Sequence, residues 1–193
     1  MRRADQRAVV RHFLLALAPI FCMVPLQGAT LERLSLDDMI TQSTAIVRGT
    51  VKGSYGAFSG PAIYTHYSIQ VLETLKGSAQ GSLEVLVPGG VANNLRQTVA
   101  GAPELHTGDQ YVFFLWTSKA GLTQIIGLTQ GLFTLPSGPV TSDATVSRAP
   151  TREVMLDPVS GRPVKDQVLV MRLRELRADI ARTLAAAKKG ATQ

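Results

Sequence analysis

His66 and His106 are the histidines that could act as bases or metal ligands once the first 29 residues are set aside. His66 falls mid-strand on the face shared with Ser68 and Gln70, so it is expected to point at solvent. His106 precedes a Thr107-Gly108-Asp109 turn. Two isolated histidines with no acidic partner beside them do not make a metal site. They would need to converge in space with Glu104 or Asp109 to form one. Ser59-Gly60 lacks the Gly-x-Ser-x-Gly elbow of a nucleophilic serine. Glu73, Glu84, Glu104 and Asp109 are scattered, with no pair at the spacing of an acid and its nucleophile. Gly89-Gly90 and Gly131 sit in no phosphate-binding motif and are expected to be turns. The expectation is therefore no catalytic residue, no metal and no cofactor.

Binding chemistry has one better candidate. Asn93, Asn94, Arg96 and Gln97 stand between two strands, where loops of small barrels often carry ligands. Phe114 and Trp116 could form a stacking platform, but a buried contact with a helix is the preferred reading. The arginines of the last helix are expected to form a solvated face.

The elements that would position these residues follow from periodicity. Ser35 and Asp38 mark a capped helix over 35–43, with Leu36, Met39 and Ile40 on its apolar face. Residues 45–52 alternate as a half-buried strand, and Gly53, Gly56 and Ser59-Gly60-Pro61 are expected to break it. A second strand runs from Thr65, with a bulge where Val71-Leu72 breaks the alternation. Leu83, Val85 and Val87 mark a third, stopped by Pro88-Gly89-Gly90. Residues 93–97 read as a polar loop. Tyr111 to Trp116 is apolar throughout, as in a strand covered on both faces. Tyr111, Phe113 and Leu115 would enter a barrel, and Val112, Phe114 and Trp116 would need a lid. Two short strands follow, within 122–128 and 132–135.

The fold class expected is mainly β: a small five- to six-stranded OB-like barrel with a short N-terminal helix and a longer C-terminal one. A β-sandwich is the runner-up. The division expected is a signal peptide over 1–29, the barrel with its leading helix over 30–140, and a Pro/Gly-rich connector with a possible hairpin over 141–166. A C-terminal amphipathic helix over 167–187 and a tail over 188–193 complete it. Leu169, Leu173, Leu176, Ile180 and Leu184 would form the stripe of that helix.

The leader rests on order. Arg2, Arg3, Arg7 and Arg11 precede an apolar run from Phe13 to Leu26, and Gly28-Ala29 offers a cleavage point. That run is shorter than the roughly 20 residues of a membrane span, so no span is expected after processing. Export, to the periplasm or beyond, is the implied address. Cys22 is the single cysteine, which rules out an intrachain disulfide. Residues 35–140 hold five basic and six acidic side chains, and residues 141–193 hold ten and six. The basic character thus lies in the leader and the tail. A nucleic-acid-binding barrel needs it on the barrel, so no nucleic acid is expected as a partner.

Three segments come in a familiar order: Ala45-Ile46-Val47-Arg48-Gly49-Thr50-Val51, Val71-Leu72-Glu73-Thr74-Leu75-Lys76-Gly77 and Gly108-Asp109-Gln110-Tyr111-Val112-Phe113-Phe114-Leu115. Together they resemble a group of exported bacterial proteins of unknown function. More distantly, residues 44–135 are similar to netrin-like domains, the barrels of tissue inhibitors of metalloproteases. The resemblance implies a closed barrel in an exported protein. It carries no functional residue over. Netrin-like inhibitors are cross-linked by disulfides and chelate zinc through an N-terminal cysteine, and here the lone cysteine lies in the leader. The expected function is an exported non-catalytic binding module for an envelope or extracellular protein or a glycan. The alternatives are an exported hydrolase pairing His66 or His106 with a carboxylate, and an OB-type nucleic-acid binder.

Overall fold

The computed structural model describes residues 30–190. The expected leader, Cys22 and the last three residues lie outside them. The chain is mainly β with two helices. Its elements are β1 (Thr30–Glu32), α1 (Leu36–Gln42), β2 (Ala45–Ser59), β3 (Ala62–Lys76), β4 (Ser82–Pro88), β5 (Gly90–Ala92), β6 (Leu95–Gln97), β7 (Gln110–Thr117), β8 (Thr123–Ile125), a 3-10 turn (Leu128–Gly131), β9 (Leu132–Thr134), β10 (Thr145–Arg148), β11 (Val154–Leu156), β12 (Pro163–Val164), β13 (Leu169–Arg172) and α2 (Leu173–Gly190). Among the described residues no helix is long and apolar enough to cross a membrane.

Helix α1 starts as its sequence demands. The Ser35 hydroxyl accepts from the Asp38 N–H at 3.1 Å, and the Asp38 carboxylate accepts from the Ser35 N–H at 3.0 Å. Its other end is held from outside. The Lys76 ammonium donates to the Ile40 and Thr41 carbonyls at 2.7 and 2.9 Å, where the helix dipole favours a cation. Partial burial pulls the Lys76 pKa below its ordinary value.

The large sheet runs β13-β10-β9-β7-β2-β3-β4-β8, and β8 also pairs with β7. It therefore exceeds the five or six strands expected, because β9, β10 and β13 continue it past β7. The connector supplies β10 to this sheet. The expected hairpin inside the connector is β11–β12, and β11 also takes β1 in parallel. Strand β2 does not break at its glycines. It pairs with β3 as far as Ser59, through Gly53 and Gly56, and turns at Gly60-Pro61.

The bulge expected at Val71-Leu72 has a physical result. Arg48 pairs with Glu73 and Gly49 with Val71, so Leu72 is the extra residue. The slip moves Glu73 from the core face to the face of Arg48. Burial raises the Glu73 pKa, but hydrogen bonds from Arg177 (2.6 Å) and Arg48 (3.1 Å) outweigh it and hold the carboxyl low. This pair of arginines on one carboxylate joins α2 to the sheet.

Strand β7 divides two cores. Tyr111, Phe113 and Leu115 pack with Val47, Ile69 and Val85 on one side. Val112 and Phe114 pack with Met39 and Ile40 of α1 and with Leu173, Leu176 and Ile180 of α2 on the other. The helix lid thus covers Phe114 as expected. It does not reach Trp116, which is 46% exposed. The last helix begins at Leu173, six residues later than its apolar spacing suggests. Leu169 and Met171 face the helical core from β13, because their period-2 alternation lets this segment pair with β10.

Gln130 is fully buried and secures the start of the described chain. Its side-chain oxygen accepts from the Leu34 N–H and its amide donates to the Glu32 carbonyl, both at 2.9 Å. Gln130→Leu should leave both backbone groups without these partners and lower stability by about 1–3 kcal/mol. Urea unfolding of the two proteins measures it, and a loss under 0.5 kcal/mol (roughly the scatter of surface substitutions) counts against this role.

Candidate functional site

The site grows from a hairpin that reads as a loop in the sequence. Strands β5 and β6 pair antiparallel around Asn93-Asn94. Both asparagines have positive φ, 49° and 63°, as a two-residue hairpin turn of this hand requires. Their amides are exposed at its tip, and their residue type is explained by the turn. The hairpin is fastened to β3. The Gln97 side-chain oxygen accepts from the Ile63 N–H, the Thr65 hydroxyl donates to the Gly89 carbonyl, and the Gly89 N–H donates to the Ile63 carbonyl, each at 2.8 Å. Gly56 lets it come close. A Cβ there would lie 1.9 Å from the Val91 carbonyl oxygen.

Behind this hairpin lies a cleft of about 280 Å³. It is lined by residues of β3 and β4 (Thr65, Tyr67, Val87), by Gly89 and Gly90, by Arg96 to Val99 and by Ala102 to Glu104. Of the four candidate binding residues, Arg96 and Gln97 line it, and Asn93 and Asn94 do not. Sequence reasoning overlooked Thr98 and Glu104 as members. Gly101 and Pro103, which turn the chain back, were the available signal.

The polar groups here are largely uncommitted. Among the described residues Arg96, Thr98 and Glu104 make no side-chain hydrogen bond or ion pair, and the Gln97 amide nitrogen has no partner. A second cavity, of about 340 Å³, lies between the start of α1 and β13. It is larger, but its charges are already satisfied. Arg148 pairs with Asp166, Arg33 with Asp157, and Asp38 with the Ser35 cap. The unpaired polar groups make the first the candidate.

His66 departs from expectation. It has an acidic partner: its Nδ1 lies 2.9 Å from a Glu84 carboxylate oxygen. The Tyr55 hydroxyl donates to the other oxygen at 2.8 Å, and the Tyr55 ring stacks on the imidazole at 4.8 Å. Hydrogen bonds from His66 and then Tyr55 hold the Glu84 carboxyl below its usual range. The bond to Glu84 raises the Tyr55 hydroxyl in turn. The imidazole Nε2 is buried and has no hydrogen-bond partner among the described residues. His106 is exposed in its turn, with no side-chain bond to Glu104 or Asp109 among the described residues, and Asp109 accepts from the Tyr111 hydroxyl at 3.2 Å. Glu104 and Asp109 thus do not gather both histidines. Among the described residues, no three His, Cys, Asp or Glu side chains gather as a metal ion would need. No protein-family model matches this chain, nor does any curated protein or solved structure.

Proposed function

We propose that this chain is an exported, non-catalytic binding module on an OB-like barrel, with the cleft behind the β5–β6 hairpin as its binding site. The circuit of pairings from β2 through β3, β4, β8 and β7 back to β2 supports the barrel. The leader pattern supports export. The observation that carries the binding reading is the gathering of loop residues 89–104 around one concavity, with charged groups that lack internal partners. Recognition sites are concavities with a few such polar groups. The lining carries one cation, Arg96, and one anion, Glu104, a mixed charge that suits a protein or glycan fragment better than a polyanion.

The test is an NMR titration of the protein from residue 30 with peptidoglycan fragments, glycans and periplasmic proteins. At least one should shift resonances of 89–104, and Val99→Trp, which fills the cleft, should abolish the effect. No shift at millimolar ligand, or shifts indifferent to Val99→Trp, would refute the proposal. Intact mass of the protein recovered outside the cytoplasm checks export; an unprocessed chain kept inside cells contradicts it.

A second reading draws on His66. A carboxylate on Nδ1 orients an imidazole as a general base, which fits an exported hydrolase. The buried Nε2 beneath Tyr55 favours a structural role instead. Ester or peptide hydrolysis by the protein that vanishes in His66→Ala would replace the binding reading with this one.

A further inference from the structure

From the chemistry of the cleft walls we infer that its ligand is an amino-acid-like zwitterion, a short peptide presenting both an ammonium and a carboxylate. The inference rests on the reading of the cleft as a binding site. Arg96 and Gln97 of β6 offer free donors to the cleft, the guanidinium and the amide nitrogen, and Thr98 just after them adds a hydroxyl that can donate or accept. Guanidinium offers a planar fork that matches a carboxylate. The same lining includes Glu104, whose carboxylate can only accept and so calls for an ammonium. Val87 and Val99 add apolar surface to the lining.

Alternative ligands leave something unanswered. A neutral sugar would cover both charges without neutralising either. A phosphate would meet Arg96 but be repelled by Glu104. Size agrees with a small occupant. A cleft of about 280 Å³ lies just under the range of roughly 300–1,000 Å³ for drug-sized ligands, and two small amino-acid residues fit it.

The experiment compares alanyl-alanine, its N-acetyl form, its C-terminal amide and N-acetylglucosamine by NMR titration and calorimetry. Alanyl-alanine should bind in the cleft, and each blocked form about tenfold more weakly, the worth of one charge-assisted contact. Arg96→Gln should erase the penalty of the C-terminal amide while keeping that of acetylation. Glu104→Gln should do the reverse. Both residues are exposed, so the variants fold, as circular dichroism will verify. Blocked peptides that bind as well as the free one overturn the inference. So does N-acetylglucosamine shifting the cleft resonances when alanyl-alanine does not, and that result leaves the binding module standing. Silence of all four probes at the cleft overturns the inference too; the binding module then falls only if its own wider titration is also silent.

Discussion

Replacing Arg148 by methionine should lower the unfolding free energy by about 3–5 kcal/mol, the usual cost of stranding one member of a buried ion pair. Arg148 and Asp166 are only 5% and 3% exposed at their side chains. The guanidinium meets the carboxylate through two nitrogens, at 2.7 and 3.2 Å, and also donates to the Gln167 carbonyl at 2.8 Å. Asp166 in turn accepts from the Thr151 and Gln167 N–H groups, both at 2.8 Å. This cluster fixes the route of the chain between β10 and β13. Removing both charges in Arg148→Met/Asp166→Leu should recover part of the loss, because no lone ion is then left in the interior. The sign of the pH effect follows from Asp166. Burial raises its pKa, but the Thr151 N–H, Arg148 and the Gln167 N–H together hold it below the ordinary value. Its contribution is therefore complete above the unfolded carboxylate pKa of about 3.9 and is lost as pH falls through the lower folded value. Glu73, also held low, adds to the same acid slope. Urea unfolding at pH 7 and pH 3 should show a shallower slope in the double variant. A loss below about 1 kcal/mol in Arg148→Met, within the range of exposed pairs, would show that the pair is not buried as described.

Gly56→Ala should dismantle the cleft. The added carbon would stand 1.9 Å from the Val91 carbonyl oxygen and 2.8 Å from its carbon. These are backbone atoms, so no side-chain rotation relieves the clash, and β5 must lift from β2. Overpacking of this kind costs about 1–3 kcal/mol. The larger effect is on binding, since Arg96 and Gln97 ride on the displaced hairpin. Hydrogen exchange at the Ile63 and Gly89 amides should accelerate, and any ligand of the cleft should bind at least about tenfold more weakly, the loss of one good contact. Alanine at Gly53, where a Cβ would meet nothing within 4 Å, is the control. Equal behaviour of the two variants would mean that the close approach is not what seats the hairpin.

Local rules made part of this structure readable in advance. The Ser35–Asp38 box, the bulge at Leu72 and the two faces of Tyr111–Leu115 depend on neighbours in sequence or on strict alternation, and all three are present. Gly53 and Gly56 read as strand breakers because glycine usually is one. At Gly56 the reason for glycine is a backbone 35 residues away. Leu169 and Leu173 fit both a helical and an alternating period, and the presence of β10 as a partner decides between them. Asn93-Asn94 is a weaker hairpin signal than Asn-Gly, so β5 and β6 went unread. The meeting of Tyr55, His66 and Glu84 depends on the relative register of three strands, which no single segment encodes. Of the candidate binding residues, the two that line the cleft are those beyond the turn.

Strand β1 lies alongside β11 with Thr30 opposite Val154. As the chain passes from its N-terminal end into the compartment where it folds, β1 must therefore wait for more than 120 further residues before its partner is present. Joining such distant pieces also bears a closure entropy that grows with the separation. The start of the described chain is thus joined to its partner late, and hydrogen exchange at Leu31 and Met155 should report a common opening event.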